Sequence, residues 1–435
     1  MSPSLADGRA AALAQLVGDR PVAVPRGITS VCSAHPLVIE AALRRGVIED
    51  AAVLIEATCN QVNQEGGYTG MTPSGFRRFV EEIAEQVGFD GRRLIFGGDH
   101  LGPNPWRTLE AEAALERAEA MVAAYVEAGF GKLHLDTSMG CAGEPAALDD
   151  ATTARRAARL AVVAEATAGR LGLAPPVYIV GTEVPPPGGA HESLAHLAVT
   201  SPIAAQRTHA VHREAFAAAG LDPAFERVIG LVVQPGVEFG STEVAIYRPE
   251  RAAALSAALD HLPGLVFEAH STDYQPAAAL GGLVDDGFAI LKVGPGLTFA
   301  LREALYGLDA IAAVLEAGSA SGSVQATMEV LMLENPAHWR SHYAGSDAAQ
   351  RLQRHFSYSD RIRYYWPLPE AARAVDRLFA RLGEDAIPEV LISQYLARLY
   401  PDVVTGQLAA RPRDLCLAAI GKALDPYAWA VSARA

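Results

Sequence analysis

Asp99 and His100 stand side by side in FGGDHLGPNPW, at the end of a short apolar run, and a second histidine, His270, closes another such run in FEAHSTDY. A neutral imidazole ligates a divalent metal through one ring nitrogen, and a carboxylate beside it can carry a proton. Two histidines from different strands, together with carboxylates, approach what a catalytic metal site needs: about three protein ligands and an open position. Glu183 and Glu238 are the carboxylates available as a third ligand, and Gln234 is a weaker choice. Zinc suits the imidazoles, whereas manganese or magnesium would suit a set richer in carboxylate. A plainer alternative gives the same dipeptide: an aspartate that caps the next helix, with a histidine packed on it. Neighbouring strand residues point to opposite sides, so both can face one cavity only where the strand ends and the chain turns.

Other residues of chemical interest fall at similar places. His134 and Asp136 alternate with leucine in GKLHLDTSMG, which places them on one face of a strand, Asp136 nearer its end and followed by Ser138. Asp136 is either a substrate contact or a hydrogen-bond partner of a neighbouring loop. Ser271 follows His270 directly. Lys292 could form a Schiff base or neutralise the surrounding carboxylates, and a metal centre, which would make an imine redundant, favours the second. Asn60, Gln61, Asn63 and Gln64 form an amide cluster in ATCNQVNQEGGYTGMTP, with Tyr68 as a stacking lid. Amides hydrogen-bond sugar hydroxyls without charge, but such a cluster can equally satisfy itself. The turn at Gly294 in VGPGLTFALRE precedes a helix, so its backbone N–H groups could take a phosphate, although Gly-Pro-Gly is also an ordinary turn. No GxxxxGK[ST] motif occurs, and a P-loop kinase has no support.

These residues need a frame that gathers strand ends. Eight short apolar runs alternate with longer helix-like segments: VPRGITSV (24–31), AVLIEAT (52–58), RLIFGGD (93–99), KLHLD (132–136), VYIVGTE (177–183), VIGLVV (228–233), LVFEAH (265–270) and AILKVG (289–294). Near-continuous apolar strands, each followed by a helix, predict a closed parallel (β/α)8 barrel, whose active site lies at the C-terminal strand ends. Almost every run ends in a titratable or amide group, which a purely structural barrel would not need. An open doubly wound sheet would carry a Gly-rich turn after its first strand, and none appears there. The barrel is expected over residues 1–318. Residues 319–435, containing FSYSDRIRYYW, are expected to form a helical extension packed on the barrel. Arg340, His342, Arg361, Arg363, Tyr364, Tyr365 and Trp366 are read there as surface or interdomain packing, with a substrate clamp as the lesser reading.

The bulk properties bound the function. Of 435 residues, half are hydrophobic and 20% charged, so a large core is expected and long disordered tails are not. A net charge of −14 argues against nucleic acid or anionic membranes as partners, though not against a small phosphosugar. Four separated cysteines suggest neither a zinc ribbon nor a disulfide framework. With no apolar signal core near the start and no apolar run of roughly 18 residues, a cytoplasmic protein is expected, open to homo-oligomerisation.

The stretches GITSVCSAHPLVIEAAL, VLIEATCNQVNQEGGYTGMTP, FGGDHLGPNPW, KLHLDTSMG, YIVGTEVPPPGG, FEAHSTDYQ and ILKVGPGLTFALREALYGL together resemble the Z subunit of D-tagatose-1,6-bisphosphate aldolase, the GatZ/KbaZ family. The similarity runs from about residue 22 to the C-terminus. It implies a fold like that of class II, zinc-dependent ketose-bisphosphate aldolases. There, Asp99 would match a proton-transferring aspartate, His100 and His270 metal ligands, Asp136 the strand-four aspartate, and Glu183 an acidic residue after strand five. The middle metal histidine of those aldolases falls near Gln234 here, and their strand-eight Asn-x-Asp-Thr becomes Gly294–Thr298, so bisphosphate cleavage is not expected. The resemblance implies two functions. One is a metal-dependent ketose or ketose-phosphate 4-epimerase of fructose and tagatose type, working by retro-aldol and aldol steps. The other is a non-catalytic subunit that stabilises the aldolase's Y-type partner.

Overall fold

The computed structural model describes residues 13, 16, 27–181, 197–316 and 322–432. Eight parallel strands close into a barrel in chain order. They are β1 (Ile28–Cys32), β2 (Val53–Thr58), β3 (Leu94–Leu101), β4 (Lys132–Leu135), β5 (Val177–Val180), β6 (Val228–Val232), β7 (Val266–Ala269) and β8 (Ile290–Val293). β8 pairs back onto β1 from Ile28↔Ile290 to Val31↔Val293. All eight runs expected from sequence are present. Among the described residues, pairing at the first begins at Ile28, and β3 continues beyond Asp99 to Leu101.

The strands are joined by α1 (Pro36–Ile48), α2 (Pro73–Gln86), α3 (Ala111–Glu127), α4 (Asp150–Leu171), α5 (Pro202–Ala218), α6 (Pro249–Ala257), α7 (Ala277–Asp285) and α8 (Pro295–Leu315). Local sequence explains their starts. Proline opens α1, α2, α5, α6 and α8, where its missing N–H costs nothing. Side-chain oxygens of Thr72, Asp149 and Ser201 accept from the first free N–H groups of α2, α4 and α5. The lower barrel interior is filled by Leu54, Ile95, Ile179, Ile229 and Ile290, with Leu13 buried among them.

The remaining helices are α9 (Val324–Glu334), α10 (Asp347–Phe356), α11 (Pro369–Leu382), α12 (Glu389–Tyr395), α13 (Tyr400–Val404) and α14 (Pro412–Val431). α14 packs against α1, α7 and α8, and its Leu415, Ile420 and Leu424 share one apolar cluster with Leu43, Leu280 and Leu301. The extension is therefore part of the barrel's outer ring. Its 357–366 segment reaches the mouth, pinned by the buried Asp360 carboxylate. That carboxylate accepts from the Thr298 hydroxyl at 2.6 Å and lies 3.4 Å from Arg302 Nε, both on α8. No described helix is long and apolar enough to cross a membrane.

Candidate active site

A layer of buried charge lies beneath the mouth. Glu56 on β2, Lys132 on β4, Glu268 on β7 and Lys292 on β8 all point inward. Lys132 Nζ is 2.7 Å from Glu56 Oε1 and 2.7 Å from Glu268 Oε2. Lys292 Nζ is 2.5 Å from Glu56 Oε2 and 2.7 Å from Asp99 Oδ1. β3 makes room for this layer. Gly97 pairs with both Glu56 and Lys132, and a Cβ there would lie 2.6 Å from Glu56 Cγ. With Asp99 included, three carboxylates face two ammonium groups, which leaves one formal negative charge in excess.

Above this layer, the Asp99–His100 pair solves its facing problem by a kink. The β3–β4 register shifts between Gly98 and Leu101, and His100 takes φ 49°, a left-handed conformation that costs a non-glycine residue strain. The turn brings the carboxylate and the imidazole to the same side. The helix-capping alternative does not hold, because α3 begins twelve residues after Asp99, with Glu110 before it.

Three imidazoles gather with Asp99: those of His100, His134 and His270. Their ring centroids lie 4.8 to 5.1 Å apart. One ligand atom from each of the four residues falls within 4.8 Å of all the others. Each ring is tied back by one nitrogen: His100 Nδ1 to Asp136 Oδ2 at 2.9 Å, His134 Nε2 to the Gly181 carbonyl at 3.0 Å, and His270 Nε2 to Glu268 Oε1 at 2.9 Å. Acceptors in these places put a proton on each tied nitrogen, and the opposite nitrogens would carry lone pairs once a metal is bound. His270 Nδ1 has no hydrogen-bond partner among the described residues. His134 Nδ1 lies 3.1 Å from Asp99 Oδ1 and accepts a long bond from the His100 backbone N–H at 3.3 Å.

The electrostatics follow from this packing. Burial opposes the charged form of Asp99, but the charges of His100 and Lys292 more than offset it and hold the carboxylate well below its usual range. Burial lowers His270 to about 3, so this ring is neutral. Burial also opposes ionisation of Asp136, and its bonds to His100 and Ser138 reverse that effect.

The remaining expected residues divide. Lys292 is held as an ammonium by Asp99, Cys32, Glu56 and Glu268 acting against burial, which fits neutralisation of carboxylates better than a Schiff-base role. Ser138 donates to Asp136 Oδ1. Ser271 lines the mouth with a buried hydroxyl that has no partner among the described residues. Asn60 lines the mouth and is exposed there. The rest of the amide cluster is mostly bonded: Gln61 bonds Thr58 and Cys32, Asn63 bonds Cys59, Glu65 and Gly67, and Gln64 donates to the Arg117 carbonyl, its Oε1 without a partner among the described residues. Tyr68 packs edge-on against Tyr364, 4.7 Å away. His35, also at a strand end, caps α1.

Two expectations need correction. Gln234 Oε1 accepts from Gly236 and Val237, closing its own turn, and Glu238 Oε1 accepts from Phe239 in a short hairpin. Neither joins the four-residue cluster, where the third imidazole is that of His134. The Gly294 turn does not offer free N–H groups, because Asp273 Oδ1 takes those of Gly294 at 3.0 Å and Gly296 at 2.7 Å. Glu183 lies outside the described residues. Sequence reasoning missed Lys132 as a charge partner and His134 as a member of the cluster. The signal was present in KLHLD, where alternation places Lys132, His134 and Asp136 on one inward face.

A closed parallel barrel with imidazoles, carboxylates and a lysine converging at its C-terminal mouth defines an enzyme of the (β/α)8 class. Residues 13–432 match the model of the D-tagatose-1,6-bisphosphate aldolase subunit GatZ/KbaZ-like family, and the chain belongs to it. It is 58% identical over 417 residues to a D-tagatose 6-phosphate 4-epimerase of Agrobacterium fabrum, covering 96% of this chain and 97% of the relative. It is also similar to the crystal structure of a probable tagatose 6 phosphate kinase from Sinorhizobium meliloti 1021. That match has 59% identity and a TM-score of 0.87, and covers 94% of this chain and 100% of the other.

Proposed function

We propose that the chain is a divalent-metal-dependent ketose-phosphate 4-epimerase that interconverts tagatose and fructose 6-phosphates. The observation that carries the proposal is the convergence of three imidazoles beside Asp99, each tied back through one nitrogen and with the other directed inward. The relative's name supports the substrate. His100, His134 and His270 would hold the metal, and the orphaned Nδ1 of buried His270 fits that role. A divalent cation bound there supplies polarisation of the C2 carbonyl. Zinc matches the imidazole-rich set, and the nearby carboxylates also admit manganese.

The protein's own groups perform the rest. In a 2-ketose, the hydrogen on C4 is not adjacent to the carbonyl and is not acidic, so bond cleavage is the economical route to inversion. Asp99, ionised at neutral pH, accepts the O4 proton. The C3–C4 bond breaks, its electron pair stays on the C2–C3 fragment, and an aldehyde forms at C4. The aldehyde rotates, the bond re-forms on its other face, and Asp99 returns the proton to O4. Lys292 keeps Asp99 ionised and in place between turnovers. The Ser271 hydroxyl is free to hold a substrate hydroxyl.

The test is to measure bound metal in the purified protein and follow fructose, tagatose and their 6-phosphates by NMR. Interconversion of the 6-phosphates that stops on chelation is expected. No metal and no interconversion of any of the four sugars would overturn the reading and favour a stabilising aldolase subunit.

A further inference from the structure

Where a phosphate would sit is a separate question, since the glycine turn of β8 is already taken by Asp273. The mouth is a cavity of about 580 Å³ whose lining includes Arg361, Arg363 and Tyr364 from the extension, opposite Asp99 and His100. The carboxylates of this cavity are engaged elsewhere: Asp99 with Lys292, Asp136 with His100, and Asp273 with backbone N–H groups. Arg361 donates its Nε to the His338 carbonyl and stacks over the Tyr364 ring at 5.2 Å, leaving both terminal NH2 groups uncommitted among the described residues. Arg363 is spent on the Ser359 and Asp360 carbonyls and the Tyr364 hydroxyl. Neither forms an ion pair with a carboxylate among the described residues, and the Asp360 carboxylate, next to Arg361 in the chain, is turned toward Thr298 and Arg302. Burial and the charge of Arg363 both push Arg361 below its usual value, as expected of a guanidinium with no counter-ion.

We infer that Arg361, supported by the charge of Arg363, receives the phosphate of a ketose 6-phosphate at this corner of the mouth. The inference rests on the reading of the chain as a ketose-phosphate enzyme and deepens it. A guanidinium with two free NH2 groups presents the forked donors that match phosphate oxygens. The anchored Asp360 turn, with φ 44°, holds it in position before substrate arrives.

The experiment compares wild type with Arg361→Gln and Arg361→Lys in two assays: KM for tagatose 6-phosphate against free tagatose, and binding of inorganic phosphate by calorimetry. Arg361→Gln should raise KM for the 6-phosphate tenfold or more beyond any change for the free sugar, and weaken inorganic phosphate at least tenfold. Arg361→Lys should recover part of both. Equal losses on the two sugars, or unchanged phosphate binding, would overturn the inference. So would phosphate affinity that follows Asp273→Asn instead, since that places the anion at β8. If the wild type turns over neither sugar, the function reading fails, and the phosphate assay still decides the role of Arg361. Thermal denaturation of both variants separates loss of binding from loss of fold.

Discussion

A carboxylate on the far nitrogen of a metal-binding imidazole sets the ring's tautomer and plane, and Asp136 occupies that position behind His100, one of the proposed ligands. Asp136→Asn should therefore leave the fold intact and weaken metal binding by about 10- to 100-fold, read by competition with a chromogenic chelator. Unchanged affinity would reduce Asp136 to a loop contact. Asp273 carries a second expectation. Burial raises its carboxyl to about 6, against the opposing bonds from Gly296 and Gly294. A raised acid favours the folded state when protonated. That contribution is complete below about pH 4 and is lost as pH rises through about 6. Asp273→Asn keeps the acceptor without a charge to bury. Its stability relative to wild type should climb between about pH 4 and 7, by up to about 3 kcal/mol. Parallel pH curves in chemical denaturation would refute this. At this scale, the sequence showed which residues could react but not their partners. Asp99, His100 and His270 were recognisable because strand ends converge in a barrel. The inclusion of His134 was written in the alternation of KLHLD, whereas the exclusion of Gln234 depends on a turn that closes on itself.

The strands were legible because each buries both faces and so reads as an unbroken apolar run between turn signals. Their interior charge was harder to see. Lys132 and Glu268 look like isolated polar interruptions until the register places them 2.7 Å apart. Gly97 belongs to the same problem, since its missing side chain is the space that Glu56 fills. Gly97→Ala should cost about 1–3 kcal/mol by overpacking and should lower turnover, although the glycine contacts no substrate. Urea denaturation and steady-state kinetics would check both. Full activity with lost stability would separate the charge layer from catalysis. The kink at His100 could be anticipated only as a requirement, that the chain turn there, and the φ value shows how the requirement is met.

Across the whole molecule, the extension is bound into the barrel. α14 fills the outer ring between α1 and α8, and the Asp360 turn is pinned to α8 from above. A chain ending at residue 318 would expose the apolar faces that Leu415 and Ile420 cover. Such a truncation is expected to be insoluble or to lose cooperative unfolding, and a well-folded, soluble 1–318 fragment would contradict the packing. Sequence patterning placed helices in this region. It could not show that one of them returns to complete the ring, because that depends on contacts more than a hundred residues apart.

The paired charges below the mouth bear on how the protein is maintained. Glu56 and Glu268 find their counter-ions in Lys132 and Lys292, so the fold does not wait for a cation to quiet them. Small metal-dependent domains collapse when stripped, because their ligands have no other reason to meet. The proposed centre would work as a socket more than a clasp. Stripped protein should keep its circular dichroism spectrum and regain turnover on reloading, with zinc and manganese competing for one seat. On the proposed function, the metal would be a replaceable part, and an ageing molecule could be refitted without being rebuilt.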